Sequence, residues 1–463
     1  MRIVLLSGGS GKRLWPISND ARSKQFLKIL KDSNGNLQSM VQRVWGQLKS
    51  VGLDNSTIIA TSKSQEEIIQ DQLSGEPNLI IEPARRDTFP AIALASSYLY
   101  TMTGVNLDEV IAVLPVDPFV ETSFFNKIKE LEEIIQNSKP DLALIGVRPT
   151  YPSEKYGYIV PDKKVNNSLK YINVNSFEEK PSKGKAKELI NQGALWNCGV
   201  FAFSLRYIIG LLEKKKIPIN YEELLKQYDK LPKISFDYEV VEKAKKIVAI
   251  SYNGYWKDLG TWNTLTEEMG TNQIGKGIIS KDSLNTHLVN ELDIPVTVLG
   301  VSDTIVAVSP DGILVSDKEK SPKVKEIVGI FNDRPMYEEK GWGWYRVLDY
   351  AKYDDGKQEI LTRRIGIKHG ANLSYHYHLA HKETWTIIKG NGIIVLNGCS
   401  YEIKTGDVVQ IDSKDKHALK ANSEIELIEV QMGSELIHED VVMISSNWNE
   451  IISRLVNKYR TEK

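Results

Sequence analysis

A glycine-rich loop near the start of the chain carries the first residues that could do chemistry. The apolar run MRIVLL leads into SGGSGKR, with Gly8, Gly9 and Gly11 around Ser10. Because glycine has no Cβ, such a backbone can pass close to a ligand and point several N–H groups at one anion. The cations Arg13 and Lys24 follow and could reach the same phosphates. We therefore expect this loop to hold a phosphate-rich ligand.

Two familiar phosphate loops do not fit this segment. A Walker loop needs G-x-x-x-x-G-K-[ST], whereas Lys12 is followed by Arg13. A dinucleotide fingerprint needs G-x-G-x-x-G, whereas Gly9 and Gly11 are followed by Leu14. The remaining alternative to a phosphate-binding loop is an ordinary tight turn between a strand and a helix.

Two aspartates lie in segments that could contribute to a ligand site. Asp117 ends the apolar run VIAVLPVD, and ligands of open α/β sheets bind at the carboxyl ends of strands. Asp258 lies in WKDLG, between Trp256 and Gly260. Each aspartate alone is typical of a turn or loop.

Histidines crowd into the last part of the chain. Five of the seven lie between residues 369 and 417, namely His369, His376, His378, His381 and His417. His376 and His378 lie two positions apart on a predicted strand, so their side chains project from the same face. With Glu383 nearby and His417 from a distant strand, these nitrogen and oxygen donors suit a divalent transition metal. The alternative is a histidine-rich barrel without a metal.

Hydrophobic patterns predict three regions that would position these residues. Over residues 1–265, β-rich runs such as RIVLLS alternate with helical segments such as FFNKIKELEEIIQNS. This alternation predicts an α/β domain with a doubly wound, mostly parallel sheet. Over 266–335, short strands such as TIVAVS follow one another and indicate a β-rich connector. Over 336–463, alternating strands broken by GNG, NG and TG turns predict a compact all-β barrel or sandwich.

Composition limits the classes of partner. The 463 residues include 59 Lys and Arg against 60 Asp and Glu, a formal net charge of -1. This balance provides no overall field to attract nucleic acid or an anionic membrane, so we expect neither as a partner. No run approaches the roughly 18 apolar residues of a membrane span. The two separated cysteines, Cys198 and Cys399, argue against a disulfide framework, and we expect a soluble, cytoplasmic protein.

Six segments of the first region carry a family resemblance. In chain order they are GGSGKRLWPIS with KQFL, EPARRDTFPAIALA, VLPVD, FEEKP, LWNCGVFAF and WKDLGTW. In this order they resemble the motifs of sugar-nucleotide pyrophosphorylases, specifically the mannose-1-phosphate guanylyltransferase family. The resemblance covers roughly residues 1–265. It implies transfer of GMP from GTP to mannose 1-phosphate with the help of Mg²⁺, giving GDP-mannose and pyrophosphate.

The same resemblance implies a role for each matching residue. It implies phosphate contacts and a part in catalysis for Arg13, Lys24 and Lys180. It implies nucleotide contacts for Leu6, Gly8, Gly9, Ser10, Gly11, Lys12, Glu82, Arg86, Asp87 and Thr88. It implies sugar contacts for Tyr156, Gly157, Tyr158, Glu179, Asn197 and Gly199. Asp117 and Asp258 would be the two ligands of Mg²⁺.

The chain departs from the family's motifs at three places. The usual Gly-Arg-Asn-Thr is Arg85-Arg86-Asp87-Thr88, the Pro before KQF is Ser23, and the His after the metal aspartate is Pro118. Asp87 replaces a hydrogen-bond donor with an anion that only accepts. These differences leave open another nucleoside triphosphate or another sugar 1-phosphate as substrate.

The histidine region resembles the cupin signature. Its matching positions are Gly370, His376, His378, Glu383 and Gly390, followed by Gly406 and His417. The resemblance implies a divalent transition metal such as Zn²⁺ or Co²⁺, bound by His376, His378, Glu383 and His417. At the second motif, Asp412 and Lys414 replace the usual Pro and Gly.

Long members of the guanylyltransferase family carry such a cupin with phosphomannose isomerase activity. LSYHYHLAHKETW resembles the corresponding segment of that domain, which implies interconversion of mannose 6-phosphate and fructose 6-phosphate. His376 stands at the family's metal-binding Gln, and His381 stands at its Arg. Losing that arginine removes a fixed cation that could hold a phosphate.

Two hypotheses follow for the whole chain. The first is a bifunctional enzyme of GDP-mannose synthesis that takes GTP, mannose 1-phosphate and a hexose 6-phosphate. In the second, the cupin is a non-catalytic module that binds sugar or dimerises the transferase. We expect a homodimer in either case.

Overall fold

The computed structural model describes residues 1–9, 12–19, 22–75, 77–162, 170–331, 334–353, 357–434, 436 and 440–453. Ser10 and Gly11 of the predicted phosphate loop lie outside the described residues. The described chain forms three parts, which we call the α/β unit, the connector and the barrel.

The α/β unit comes first in the chain. Its strands are β1 (Arg2–Leu6), β2 (Leu30–Lys31), β3 (Leu37–Gln38), β4 (Thr57–Ser62), β5 (Asn78–Glu82), β6 (Val110–Pro115), β7 (Pro118–Val120), β8 (Leu142–Val147), β9 (Gly157–Pro161), β10 (Ile172–Glu179), β11 (Leu195–Ser204), β12 (Ile247–Tyr252) and β13 (Trp256–Asp258). Its α-helices are α1 (Met40–Ser50), α2 (Glu66–Gln72), α3 (Thr88–Thr101), α4 (Ser123–Ser138), α5 (Lys183–Asn191), α6 (Leu205–Lys214), α7 (Tyr221–Lys226), α8 (Phe236–Glu239) and α9 (Trp262–Thr266).

Nine strands form one sheet in the order β5-β4-β1-β6-β11-β8-β12-β10-β9. The neighbours β5, β4, β1 and β6 are parallel, as are β8 and β12. β11 runs antiparallel between β6 and β8, and β10 runs antiparallel to both β12 and β9. The predicted α/β class is confirmed. The direction of β11 could not be read from LWNCGVFAF, because a strand buried on both faces is apolar throughout in either direction.

Apolar side chains cover both faces of this sheet, because consecutive residues of a strand point to opposite sides. In β1, Ile3 and Leu5 join the core on one face and Val4 joins the core on the other. Helices α1 and α4 pack on the first face, and α3 and α6 pack on the second. The predicted helix FFNKIKELEEIIQNS is confirmed as α4, whose apolar stripe is buried.

The connector is a stack of short strands. They are β14 (Gln273–Ile274), β15 (Gly277–Ile279), β16 (His287–Asn290), β17 (Val296–Val298), β18 (Thr304–Ser309) and β19 (Gly312–Asp317), followed by the helix α10 (Val324–Val328). β14, β16 and β18 pair in parallel, β15 and β17 form a second parallel pair, and β19 returns antiparallel beside β18. The predicted series of short strands is present. The sequence did not predict that most of these strands pair in parallel.

The barrel is made of two antiparallel sheets. Its strands are β20 (Tyr337–Lys340), β21 (Gly343–Tyr353), β22 (Gln358–Ile367), β23 (Tyr375–His378), β24 (His381–Lys389), β25 (Asn391–Leu396), β26 (Cys399–Lys404), β27 (Val408–Ile411), β28 (His417–Ala421), β29 (Ile425–Gly433) and β30 (Val441–Ser445). The sheet orders are β20-β21-β22-β29-β24-β27 and β26-β25-β28-β23-β30. Ile365 and Leu427 from one sheet share a core with Ile394 and Leu419 from the other. The predicted all-β architecture is confirmed.

The sequence predicted three regions with the limits 1–265, 266–335 and 336–463. The two boundaries between them lie beside α9 and β20, and these limits stay predictions. Trp262 in α9 joins the α/β unit to the connector, since it is fully buried in one core with Val289 and Ile305. Across the described residues, no helix combines the length and the apolar character needed to cross a membrane.

We expect Gly275→Ala to destabilise the connector. Gly275 has a φ of +84°, and a Cβ there would clash with the carbonyl oxygen of Asn290. The left-handed backbone alone costs a non-glycine residue about 1–3 kcal/mol, and the clash adds to this cost. The thermal-unfolding midpoint measured by calorimetry should therefore fall by several degrees.

Gly46→Ala is the matched control for this substitution. Gly46 lies inside α1, and a Cβ there would meet nothing within 4 Å. Alanine should stabilise this helix by about 0.5–1 kcal/mol. An unchanged or raised midpoint for Gly275→Ala would contradict the described connector geometry.

Candidate active site

A lysine held between two aspartates lies at one edge of the main sheet. Asp117 follows β6, and Asp258 ends β13. β13 pairs antiparallel with β7, which places Asp258 opposite Pro118 and so beside Asp117. The ammonium of Lys24 lies 2.5 Å from Asp117 Oδ2 and 3.7 Å from Asp258 Oδ1. Two carboxylates that are distant in the sequence therefore converge on one cation.

The surroundings of Lys24 favour its charged form. Burial of the ammonium opposes the charge, but Asp117 and then Asp258 outweigh this effect and raise the pKa of Lys24. The cleft thus stabilises a positive charge between two carboxylates. Carboxylate oxygens are the ligands that Mg²⁺ prefers. The carboxylates of Asp117 and Asp258, which surround the Lys24 ammonium, therefore fit a divalent cation.

A cavity of about 300 Å³ opens beside Lys24 at the carboxyl ends of β1, β5 and β6. The predicted nucleotide residues that line it are Leu6, Gly8, Gly9, Glu82, Arg86, Asp87 and Thr88. Lys24, Asp117 and Gly199 line it as well. Ligands of open α/β sheets bind at this edge. The structure therefore brings predicted residues from several separate segments to one cavity.

The wall around Glu82 is tightly built. A Cβ on Gly8 would lie 3.3 Å from Glu82 Oε1, so a side chain there would crowd the carboxyl group. The hydroxyl of Tyr228 donates to Glu82 Oε2 at 2.6 Å. Burial raises the pKa of Glu82. This carboxyl group is thus fixed in position on the cavity wall.

Asp87 has a strained backbone at the start of α3. Its φ is +70°, and its carboxylate caps the helix by accepting a hydrogen bond from the N–H of Thr88 at 2.8 Å. A non-glycine residue in this conformation persists only where the surrounding structure holds it. Such strain is often found at functional sites, and here it lies on the wall of the cavity.

A second group of predicted residues lies where β10 ends and β11 begins. β11 runs against its neighbours, so its first residues reach the same sheet edge as the carboxyl ends of β6 and β8. Lys180 Nζ lies 2.8 Å from Glu179 Oε1. Asn197 Oδ1 accepts a hydrogen bond from the N–H of Gly199 at 3.1 Å. Gly199 adopts a φ of +72°, which favours glycine at this point of the cavity wall.

Tyr156 and Gly157 lie beside this group. The half-buried ring of Tyr156 packs edge-on against Trp196 and Trp256, with ring centroids 4.9 Å and 5.5 Å away. A Cβ on Gly157 would lie 2.5 Å from Glu179 Oε2, so the absence of a side chain makes room for that carboxylate. Both placements are compatible with a sugar site next to the cavity.

Tyr158 is placed differently from the sequence prediction. Its side chain is fully buried. Its hydroxyl donates to the carbonyl of Ser153 and accepts from the N–H of Ser153, both at 2.9 Å. Tyr158 therefore packs in the core of the sheet, and its side chain forms no part of the cleft surface.

Lys12 and Arg13 belong to a 3₁₀ turn, Lys12–Leu14, that follows the undescribed Ser10 and Gly11. Arg13 is exposed, and it is near enough to Lys24 for the two positive charges to oppose each other. Among the described residues, the walls of the 300 Å³ cavity include neither Lys12 nor Arg13. Their predicted phosphate contacts stay predictions.

Asp237 is a site residue that sequence reasoning missed. It lies in α8, lines the cavity, and accepts a hydrogen bond from Asn197 Nδ2 at 3.0 Å. Burial and the nearby Glu179 raise the pKa of Asp237 to about 7. In the segment ISFDYE nothing distinguishes this aspartate from a surface acid, since its burial arises only when α8 packs on the sheet.

A second cluster lies inside the barrel, where four predicted metal ligands come from three strands. His376 and His378 lie on β23, Glu383 on β24 and His417 at the start of β28. His378 Nε2 lies 3.1 Å from Glu383 Oε1, and His417 Nε2 lies 3.6 Å from Glu383 Oε2. The rings of His376 and His417 are 4.3 Å apart, because the two residues pair across β23 and β28.

The barrel cluster fits a metal ion. The ligand atoms of His376, His378 and His417 lie within 4.8 Å of one another, and so do those of His378, His381 and Glu383. His417 Nε2 is buried and has no hydrogen-bond partner among the described residues. Such an atom costs free energy unless a ligand or an ion satisfies it.

Backbone carbonyls orient two of these histidines. His376 Nδ1 contacts the carbonyl of Ser374 at 2.8 Å, and His417 Nδ1 contacts the carbonyl of Asp415 at 2.9 Å. This is the arrangement found behind metal-bound imidazoles. Burial and the neighbouring His417 lower the pKa of His376 to about 3, which keeps the ring in the neutral form that binds metals.

Other residues around this cluster were not predicted as site residues. His381 Nε2 lies 3.4 Å from Glu383 Oε1, and its Nδ1 lies 2.7 Å from Asp440 Oδ2. Arg363 on β22 forms an ion pair with Glu429, and both line the same cavity of about 420 Å³ as His376 and His378. A cation is thus present in the cavity although His381 replaces the family's arginine. It comes from a different strand, so the local motif gave no signal for it.

Comparisons with known protein families match the three parts in order. The family model described as nucleotidyl transferase matches residues 2–273. A MannoseP isomerase/GMP-like beta-helix domain matches residues 279–330, and mannose-6-phosphate isomerase C-terminal matches residues 334–446. The parallel strands of the connector are consistent with the β-helix match. Nucleotidyl transferases and mannose-phosphate isomerases generally use divalent metals.

Individual proteins match over almost the whole chain. A putative mannose-1-phosphate guanylyltransferase of Vibrio cholerae serotype O1 is 30% identical, and the match covers 95% of this chain and 98% of that protein. Mannose-1-phosphate guanylyltransferase RfbM of Salmonella typhimurium is 28% identical, with 95% and 96% covered. The crystal structure of mannose-1-phosphate geranyltransferase from Thermus thermophilus is 27% identical with a TM-score of 0.57, covering 71% of this chain and 98% of that chain.

The sheet, the cleft around Lys24 and the first family match define a nucleotidyltransferase that continues into a β-helix and a barrel. Within that class, the chain belongs to the mannose-1-phosphate guanylyltransferase family.

The raised pKa of Asp237 predicts a pH dependence of stability. A carboxyl group whose pKa rises on folding contributes stability that is fully present below its unfolded pKa of 3.8 and is lost as the pH rises through about 7. We therefore expect this group to lower the thermal-unfolding midpoint of the ligand-free protein as the pH rises from about 4 to about 7. Asp237→Asn cannot ionise and should flatten this dependence in thermal melts.

Asp108→Asn is the control for this test, because the side chain of Asp108 is 74% exposed. It should leave the slope of the midpoint against pH as in the wild type. A slope for Asp237→Asn equal to that of the wild type would show that Asp237 does not titrate as described.

Proposed function

We propose that this chain transfers GMP from GTP to mannose 1-phosphate, giving GDP-mannose and pyrophosphate. The observation that carries the proposal is the Lys24 ammonium between Asp117 and Asp258, beside the cavity that Gly8 and Gly9 line. A triphosphate and a sugar phosphate repel each other. A cleft that gathers cations and backbone N–H groups at one sheet edge is suited to bring them together. The full-length relatives support guanosine and mannose as the groups that are joined.

In this reaction an oxygen of the sugar phosphate attacks the α-phosphorus of GTP while pyrophosphate leaves on the opposite side. The protein supplies no nucleophile, so catalysis consists of positioning and charge stabilisation. We assign phosphate contacts to Arg13, Lys24 and Lys180. Mg²⁺, held by Asp117 and Asp258, would supply further positive charge between the two phosphates.

The two ends of the cleft would hold the two substrates. On the nucleotide side we assign Leu6, Gly8, Gly9, Ser10, Gly11, Lys12, Glu82, Arg86, Asp87 and Thr88. On the sugar side we assign Tyr156, Gly157, Glu179, Asn197 and Gly199, with Asp237 behind Asn197. Carboxylates and amides form directional hydrogen bonds with sugar hydroxyls. The full-length relatives support guanine as the base, and another base or another sugar is the alternative.

For the barrel we propose isomerisation of mannose 6-phosphate and fructose 6-phosphate. The observation that favours it is that the histidine cluster shares its cavity with Arg334, Lys340 and Arg363, which are suited to a phosphate. Zn²⁺, Co²⁺ or a similar ion on His376, His378, Glu383 and His417 would supply Lewis acidity. The alternative is a barrel that only binds sugar or mediates dimerisation.

We assign each activity to one of the regions predicted from the sequence, with transfer in residues 1–265 and isomerisation in residues 336–463. A homodimer, a cytoplasmic location and the lack of nucleic-acid or membrane partners stay predictions of the sequence. The proposed substrates are all small phosphate esters.

A substrate panel tests the transferase proposal. The purified chain is incubated with each nucleoside triphosphate, either mannose 1-phosphate or glucose 1-phosphate, and Mg²⁺, and pyrophosphate release is measured. We expect the highest kcat/KM for GTP with mannose 1-phosphate and loss of activity in EDTA. Asp258→Asn should lower kcat/KM by about a hundredfold or more, since it removes charge that holds the metal.

Asp293→Asn is the control variant, because its side chain is 90% exposed in the connector. It should keep the wild-type kcat/KM. Equal turnover of every pair, or none of any pair, would contradict the proposed specificity.

A second test concerns the barrel. We expect exchange between mannose 6-phosphate and fructose 6-phosphate, followed by NMR, once Zn²⁺ or Co²⁺ is added. His378→Ala should abolish this exchange and reduce the metal retained per chain in elemental analysis, while transferase activity persists. His369→Ala, at an exposed histidine, should change neither measurement. Absence of exchange with every divalent metal would favour the non-catalytic alternative.

A further inference from the structure

Two residues just before Lys24, Asn19 and Arg22, contact both C-terminal parts of the chain. Asn19 Nδ2 donates to Asp311 Oδ2 at 2.9 Å and to the carbonyl of Tyr337 at 3.2 Å. Asp311 lies between β18 and β19 of the connector, and Tyr337 begins β20 of the barrel. Asn19 Oδ1 also accepts a hydrogen bond from the N–H of Arg22 at 2.6 Å. This segment of the α/β unit therefore touches both the connector and the barrel.

Arg22 makes the strongest of these contacts. Its side chain is only 12% exposed. Nη1 donates to both carboxylate oxygens of Glu291, at 2.8 Å and 3.0 Å, and Nε lies 3.3 Å from Glu339 Oε1. The guanidinium also lies 5.2 Å from the ring centroid of Tyr337. Glu291 follows β16 of the connector, whereas Glu339 and Tyr337 lie on β20 of the barrel.

Carboxylates of the connector and of the barrel balance the positive charge of Arg22. Burial opposes its charge, but Glu291 and then Glu339 outweigh burial and raise the pKa of Arg22. Removing one partner of a buried ion pair leaves the other charge uncompensated, so these contacts resist being broken. The guanidinium is thus a fixed point that the α/β unit, the connector and the barrel share.

A single residue, Ser23, separates Arg22 from Lys24. Ser23 is buried, and its hydroxyl accepts a hydrogen bond from Gln65 Nε2 at 2.8 Å. On the other side of Lys24, Gln25 Nε2 donates to the carbonyl of Ser7 at 2.9 Å. The backbone that carries Lys24 is therefore held at both neighbours, and Arg22, like Asn19, reaches outside the α/β unit.

We propose that Arg22 is a positioning residue for Lys24: by binding Glu291 and Glu339 it makes the connector and the barrel part of the support of the transferase cleft. The proposal rests on the proposed function for the role of Lys24 in phosphate binding. A displacement of about 1 Å in a catalytic group can cost a hundredfold in rate. The barrel then influences nucleotidyl transfer without contributing a residue to the cleft.

A double-mutant cycle separates this role from general support of the fold. Arg22→Ala should lower kcat for GTP and mannose 1-phosphate by about ten- to a hundredfold, with each KM changed by no more than about twofold. In a Lys24→Ala background the same substitution should have almost no further effect on kcat, because its effect acts through Lys24. Equal factors in the two backgrounds would overturn the proposal.

Two other variants keep the test valid if Arg22→Ala does not fold. Arg22→Lys keeps the charge but loses the forked geometry, and it should give a kcat between those of wild type and Arg22→Ala. Glu339→Gln changes only the barrel side and should also lower kcat in the wild-type background but not in the Lys24→Ala background. Arg206→Ala, at an exposed arginine paired with Asp108, is the matched control and should keep the wild-type kcat.

A readout without turnover separates this proposal from the proposed function. In the full chain with ¹³C-methylated lysines, the Lys24 signal is assigned by its absence in Lys24→Arg. We expect Arg22→Ala to shift the Lys24 signal; if that variant does not fold, Arg22→Lys and Glu339→Gln should shift it. The signal of Lys257, which pairs with Glu267 and Glu268, should stay in place in each variant. An unchanged Lys24 signal would overturn the proposal, whereas lack of turnover by the wild type would overturn only the proposed function.

Discussion

The interaction on which the active cleft depends is that of Lys24 with Asp117 and Asp258. Two carboxylates that face each other in a partly buried cleft repel unless a cation lies between them. The fold enforces their approach, because β13 pairs with β7 directly after the end of β6. Once this approach is fixed, the cleft favours a positive charge between the two carboxylates.

The rest of the α/β unit arranges groups around that point. Parallel strands deliver Leu6, Glu82 and Asp117 to one edge, and the reversed strand β11 delivers Asn197 and Gly199 to the same edge. The connector and the barrel also support this point, because both contact Arg22, which lies two residues before Lys24. The barrel also has a cluster of its own, in which buried histidines surround Glu383. The two clusters would carry out different chemistry in separate cavities.

Much of this could be predicted from the sequence, but by two different routes. Periodicity alone predicted the helix α4, the buried strands and the antiparallel barrel, because apolar spacing reflects burial directly. The pairing of Asp117 with Asp258 came only from the family resemblance, since each aspartate alone is typical of a turn. Direction and pairing of buried strands, as in β11 and the parallel connector, leave no such mark in the sequence.

The residues that were missed share one physical reason. Asp237, Arg22 and Arg363 look like ordinary surface charges in their local segments, and they become site or junction residues only through partners far away in the chain. Tyr158 is the reverse case, because its motif resembles a sugar-binding segment although its ring lies fully buried in the core of the sheet.

The most direct measurement is anomalous X-ray scattering from crystals grown with Mn²⁺, a non-hydrolysable GTP analogue and mannose 1-phosphate. We expect a manganese peak within bonding distance of carboxylate oxygens of Asp117 and Asp258, with the triphosphate against Gly8 and Gly9 and the Lys24 ammonium on a phosphate oxygen. A manganese peak and a nucleotide at another place, with Lys24 still between the two aspartates, would contradict it.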